Sequence, residues 1–141
     1  MLIKEVLSFV LVSLILVTQV NASIGEEYKY ISPETLQGRI KAGDSSMIIL
    51  DICPVEQFAK GHIPGAIETN ASPAQRPEET ARLEAALPKL VGDKDIIIIC
   101  PGGGGGAKRT VDLYKSKGID SKRLLILENG MNKWPYETEP K

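Results

Sequence analysis

The chain has 141 residues, with 17 Lys and Arg against 18 Asp and Glu, one His, two Cys and a formal net charge of −1. That balance, with 5% aromatic residues and no basic run, leaves no electrostatic footprint for nucleic acid and points to small molecules or another protein as partners. The length is enough for one domain with a single core and too short for two.

Residues 1–22 read as a signal peptide: Lys4 in a short leading region, the apolar run Val6 to Val17, and Val20-Asn21-Ala22 as a small-residue cleavage site before Ser23. The apolar run is shorter than the roughly 20 residues that span a bilayer, so no membrane span is expected after cleavage. Export is therefore expected, with a periplasm the favoured destination and secretion the other, and residues 23–141 form one domain. Tyr28 to Ile31 alternates as a short strand. Ser32 followed by Pro33 is an N-cap with proline at the first helical position, which predicts a helix from Pro33 to about Lys41. Met47 to Leu50, ending in Asp51, is a buried strand; Pro54 to Lys60 suits a short helix that stops at Gly61. His62-Ile63-Pro64-Gly65 is a turn before the short strand Ala66 to Glu68. A polar loop from Ala71 to Pro77 leads into Glu78 to Leu90, whose leucines and alanines fall at helical spacing. Asp95 to Ile99 is a β-branched strand, a helix is predicted from Ala107 to about Lys117, and Leu124 to Leu127 is the last strand before a closing turn at Gly130 to Trp134. Strands alternating with helices imply an α/β fold with a mostly parallel sheet covered on both faces.

Cys100 stands out. It ends the run Ile96 to Ile99 and is followed by Pro101, then Gly102, Gly103, Gly104, Gly105 and Gly106, then Ala107. A buried strand, a side-chain-free loop and a helix N-terminus together form an anion nest, in which inward N–H groups and the helix end stabilise a thiolate nucleophile. In parallel α/β sheets ligands bind beyond the carboxyl ends of the strands, where Asp51, Cys53 and Cys100 all fall. Two cysteines in an exported chain also raise the competing expectation of a disulfide.

Other chemistries fit less well. A phosphate loop requires Gly before Lys108 and Ser or Thr after it, and the chain has Ala107 and Arg109 there. One His and two separated Cys do not supply metal-ligand spacing, so no metal and no cofactor is expected. His62, in its Gly-His-Ile-Pro-Gly turn, reads as structural, and Asp51 as an acceptor for backbone N–H groups of the following turn.

The segments Ile31-Ser32-Pro33-Glu34, Asp51 to Phe58 with Gly61-His62-Ile63-Pro64-Gly65-Ala66-Ile67, the Cys100 strand and loop, and Asn129-Gly130-Met131-Asn132-Lys133-Trp134 resemble, in order and spacing, the rhodanese-like sulfurtransferases. The resemblance implies a five-stranded, mostly parallel sheet with helices on both faces. It also implies a cysteine loop that carries sulfane sulfur as a persulfide, taken from thiosulfate or another donor and passed to a thiol or cyanide-like acceptor, with a partner protein among the acceptors. Cys100 would be the carrier, and Pro101 to Ala107 the loop around the bound sulfur. Two departures stand against the family pattern. Gly105 and Gly106 occupy late loop positions where many active members hold an arginine or other polar residue, leaving Lys108 and Arg109 just beyond as solvated charges or as compensation. Cys53 and Gln57 occupy the places of an arginine and a glutamate. Cys53 is either a resolving thiol for a Cys100 persulfide or a space-filling replacement. Three readings follow: a sulfurtransferase, a sulfur-binding module without turnover, and a thiol-disulfide redox protein using Cys53 and Cys100.

Overall fold

The computed structural model describes residues 27–141, so the proposed signal peptide at 1–22 lies outside the described residues. Five strands, β1 (Lys29–Ile31), β2 (Met47–Asp51), β3 (Ile67–Glu68), β4 (Asp95–Ile99) and β5 (Leu124–Leu127), form one sheet in the order β1-β5-β4-β2-β3, every pair parallel. Four α-helices, α1 (Pro33–Lys41), α2 (Val55–Lys60), α3 (Pro77–Ala85) and α4 (Gly105–Ser116), make the connections. The expected α/β fold is thus observed, and the sheet is parallel throughout. Among the described residues no helix is long and apolar enough to cross a membrane.

Period-two alternation divides the core between the two faces of the sheet. Leu50, Ile52, Ile96, Ile98, Cys100, Leu124 and Ile126 pack with Leu83 of α3 and Ala107, Val111 and Tyr114 of α4. Ile31, Ile49, Cys53, Ile97, Ile99 and Leu127 pack on the other face with Leu36 of α1, Ile63 and Met131. The central strand β4 is buried from Ile96 through Ile99, as an apolar run covered on both sides must be.

Local chemistry fixes the element ends. Ser32 Oγ accepts the Thr35 N–H at 3.1 Å and Pro33 opens α1, as the sequence predicts. At the other end of α1, Arg39 joins Asp44 at 2.7 Å and Asp95 at 3.0 Å, tying the helix to the start of β4. Two helix boundaries differ from expectation. The segment predicted as one helix to Leu90 ends as α3 at Ala85 and continues as a 3₁₀ turn over Leu87–Leu90. Pro88 has no N–H to continue the α ladder. Helix α4 begins at Gly105, inside the glycine run rather than at Ala107, because the Lys108 N–H bonds the Gly104 carbonyl at 3.1 Å and closes the first turn there.

Candidate active site

Cys100 follows β4 directly and is 2% exposed. Its Sγ accepts the N–H of Gly103 at 2.9 Å, so one backbone dipole already points at the sulfur and stabilises negative charge on it. The N–H groups of Gly105, Gly106 and Ala107 open α4 and have no acceptor among the described residues. A thiol sulfur, one N–H donor in contact and three more at the adjoining helix end make up this rim.

The five-glycine loop has a defined conformation. Its first residues are held from the β5 side: Met131 N–H donates to the Cys100 carbonyl at 2.8 Å and Asn132 N–H to the Pro101 carbonyl at 2.9 Å. This support turn passes through Asn129 at φ 62° and Gly130 at φ 67°. It lies so close that a Cβ on Gly130 would be 2.5 Å from the carbonyl oxygens of Cys100 and Pro101. Gly103, at φ +71°, packs against the same turn, its α-carbon facing the nitrogens of Asn129 and Gly130. Gly102 and Gly104 have nothing within 4 Å of a Cβ and leave that side of the loop open.

The opposite wall is the segment after β3, a polar loop in the sequence. Its residues Ala71 and Ala74 are buried, Ser72 N–H bonds the Ile52 carbonyl at 2.8 Å, and Pro73 follows a cis peptide bond. Pro73 and Ile52 stand 3.4 Å from where a Gly106 Cβ would be. Arg109 Nε donates to the Pro73 carbonyl at 2.9 Å, while Lys108 turns away and sits 5.6 Å from the centre of the Tyr28 ring. Arg109 is therefore tethered to the 71–77 segment through a solvent-exposed bond. The Asn129-Gly130 dipeptide is a recognisable turn signal; nothing local signals the Pro73 contact.

Cys53 does not join Cys100. Both are free thiols, and with Asp51 aligned to Ile99 the alternation sends Ile52 and Cys100 to the α3/α4 face and Cys53 to the α1 face. Burial pushes the Cys53 thiol pKa far up, and the negative charge and hydrogen bond of Asp51 push it further. A resolving thiol must ionise and face its target; burial and Asp51 disfavour the Cys53 thiolate and the alternation turns it to the other face, so of the two alternatives for Cys53 the geometry favours the space-filling one. The same geometry counts against the two-cysteine redox reading. Cys53 fills space, and Gln57 bonds Asn132 at 3.0 Å, so the two neutral replacements leave the packing intact.

Asp51 Oδ1 accepts the Cys53 N–H at 2.8 Å, which is the turn-capping role expected of it, and its Oδ2 is buried without a partner. Burial raises its pKa, offset in part by that N–H. His62 is structural: it stacks on Phe58 with centroids 3.8 Å apart, and its Nδ1 lies 2.9 Å from the Phe58 carbonyl oxygen. Among the described residues no three His, Cys, Asp or Glu side chains gather to hold a metal. A cavity of about 490 Å³ lined by Tyr28, Val111, Ser121 and Leu124 opens at the amino ends of β1 and β5, away from Cys100.

The rhodanese-like domain family matches residues 32–137. The chain belongs to that family. It is 31% identical over 112 residues to the HTH-type transcriptional regulator Rv0324 of Mycobacterium tuberculosis, covering 79% of this chain and 43% of that protein. The chain thus spans less than half the length of this curated relative. Among solved structures it resembles the rhodanese-like domain of the Anabaena Alr3790 protein, with a TM-score of 0.63 at 21% identity, over 82% of this chain and 81% of that one. It also resembles a thiosulfate sulfurtransferase from Pseudomonas aeruginosa, with a TM-score of 0.61 at 23% identity, over 81% of this chain and 20% of that one. At these identities the two structures establish the fold of this rhodanese-like domain.

Proposed function

We propose that this rhodanese-like domain is a sulfurtransferase that carries sulfane sulfur on Cys100. The observation that carries the reading is the Gly103 N–H seated 2.9 Å from Sγ at the mouth of a braced loop with unclaimed donors beyond. In the first half-reaction the Cys100 thiolate attacks the outer sulfur of a donor such as thiosulfate. A Cys–S–S⁻ persulfide forms as the donor's S–S bond breaks, and sulfite leaves with the bonding pair. In the second, an acceptor thiolate or cyanide attacks the terminal sulfur, takes it away and regenerates the Cys100 thiolate. The persulfide keeps the negative charge one atom further out, toward the N–H groups of Gly105, Gly106 and Ala107, which supply fixed dipoles where charge sits in both steps.

The partners are a small sulfane donor and a thiol acceptor, small or carried on a protein; neither step calls for a metal or cofactor. With the N-terminal leader read as a signal peptide, the transfer takes place outside the cytoplasm. The test is the intact mass of the chain after exposure to thiosulfate or polysulfide, with peptide mapping. A sulfur adduct on Cys100 that a thiol or cyanide removes, absent in Cys100→Ser, is the expected result. An adduct that stays in place with every acceptor would make the domain a sulfur-binding module. Transfer by Cys100→Ser at the wild-type rate would refute the assignment outright.

A further inference from the structure

The cysteine loop itself offers no cation to an anionic donor, because Gly102 to Gly106 carry no side chains. A guanidinium nevertheless stands beside them. Long side chains on a helix lean toward its N-terminus, so Arg109, one turn beyond Gly105, lies back across it. Its Nη1, Nη2 and Cζ are 3.0, 3.1 and 3.3 Å from the point where a Gly105 Cβ would sit. A Cβ there would crowd the guanidinium and oblige it to shift by a few tenths of an ångström.

The guanidinium is also oriented. Arg109 Nε donates to the Pro73 carbonyl at 2.9 Å, which fixes one edge of the guanidinium plane and leaves Nη1 and Nη2 without an acceptor among the described residues. No carboxylate among them pairs with Arg109, whereas Arg39 is held by both Asp44 and Asp95. A cation at the positive end of a helix, beside unclaimed N–H groups, is in an unfavourable position unless an anion offsets it. A planar fork with two free donors matches an oxyanion, which it can bind through two parallel hydrogen bonds.

Resting on the reading of Cys100 as the sulfur acceptor, we propose that Arg109, from outside the loop, is the donor-selecting residue of this site. It binds the oxygen-bearing end of a sulfane donor of the thiosulfate or thiosulfonate class. The donor's outer sulfur then faces Cys100, and Arg109 holds the departing sulfite or sulfinate as the S–S bond breaks. The cation that meets the donor thus comes from the second turn of α4 and lies over the bare face of Gly105.

The experiment measures thiosulfate binding by calorimetry on the full chain carrying Cys100→Ser, which cannot form the persulfide, with and without Arg109→Gln, Arg109→Lys or Gly105→Ala. Thermal unfolding checks that each variant is folded. Arg109→Gln is expected to weaken binding about 10-fold to 100-fold, the worth of hydrogen bonds to a charged group. Arg109→Lys should recover part of the loss, and Gly105→Ala, whose Cβ crowds the guanidinium and shifts it by a few tenths of an ångström, should weaken binding less than Arg109→Gln does. Binding indifferent to Arg109, or no thiosulfate binding at all, overturns the proposal. The mass of wild-type Cys100 after polysulfide treatment separates the two readings. A removable adduct with Arg109-independent binding leaves the transferase standing and this inference refuted. Arg109-dependent binding with no adduct from any donor supports the anion site and refutes the transferase.

Discussion

Gly103→Ala tests whether the glycine run is a braced loop or a slack one. At φ +71° an alanine pays the left-handed penalty, roughly 1–2 kcal/mol. Its Cβ would also lie 2.8 Å from the nitrogen of Asn129, 2.9 Å from that of Gly130 and 3.0 Å from the carbonyl oxygen of Leu127. All three are backbone atoms, and the turn that carries them is itself bonded to the carbonyls of Cys100 and Pro101, so neither side can step back alone. Overpacking of this kind costs about 1–3 kcal/mol. Together the two effects come to about 2–5 kcal/mol, against a total stability of roughly 5–15 kcal/mol for a domain.

Gly102→Ala is the control, one residue away. Nothing lies within 4 Å of its Cβ and its φ is not in the left-handed region, so the expected change is neutral, or stabilising by up to about 1 kcal/mol through the unfolded chain. Urea unfolding followed by the fluorescence of Trp134, the sole tryptophan, reads both. The reasoning fails if Gly103→Ala unfolds at the wild-type midpoint, or if Gly102→Ala is destabilised as much as Gly103→Ala.

Two further outcomes follow from buried polar groups. Tyr114 donates to the Leu83 carbonyl at 2.8 Å from a fully buried position, so Tyr114→Phe removes that bond and leaves the carbonyl only the Ala86 N–H at 3.2 Å, at a cost of about 0.5–1.5 kcal/mol; an unchanged urea midpoint would show the bond to contribute nothing net. Asp51, whose pKa is raised by burial, gives the wild-type folded state more bound protons than the unfolded chain between an unfolded pKa of about 3.9 and its folded value, so wild-type stability falls as pH rises through that window. Asp51→Asn keeps an oxygen for the Cys53 N–H and loses the titration, so its stability relative to wild type should improve from about pH 4 upward and then level off; a variant that instead loses ground with rising pH would show the buried carboxylate to be stabilising.

The strands were legible because their residues say the same thing at every level. Ile96 to Ile99 is β-branched, apolar and bounded by turn residues, and it lies buried at the centre of the sheet. Helix α1 was legible from its cap, since Ser32 and Pro33 act within four residues of each other. The start of α4 was not, because glycine is a poor helix former and what carries the helix into the run is the bond from the Lys108 N–H to the Gly104 carbonyl. Cys53 and Cys100 both fall after strand ends, which the sequence displays, but their facing depends on the pairing of Asp51 with Ile99, which it does not. The hold of Pro73 on Arg109 spans 36 residues and has no local trace.

These long-range contacts change what the glycines mean. Read along the chain, five in a row describe a loop whose ordering is costly, since each glycine loses more freedom on folding than any other residue. In the fold they divide by neighbour. Gly103 answers to the Asn129-Gly130 turn, Gly105 to Arg109 and Gly106 to Pro73, while Gly102 and Gly104 face open space. Gly103 is therefore bare because another element's backbone occupies the room a side chain would need, whereas a Cβ on Gly105 would crowd the Arg109 guanidinium of its own helix and one on Gly106 would make ordinary contact with Ile52 and Pro73. The ordering cost is offset by bonds from outside the loop, Met131 to Cys100 and Asn132 to Pro101 on one side and the Pro73 wall on the other. A loop made rigid by its surroundings can hold an N–H at a fixed distance from sulfur without side chains of its own. It follows that the chemistry of this rhodanese-like domain depends on the support turn and the 71–77 wall as much as on the residues next to Cys100.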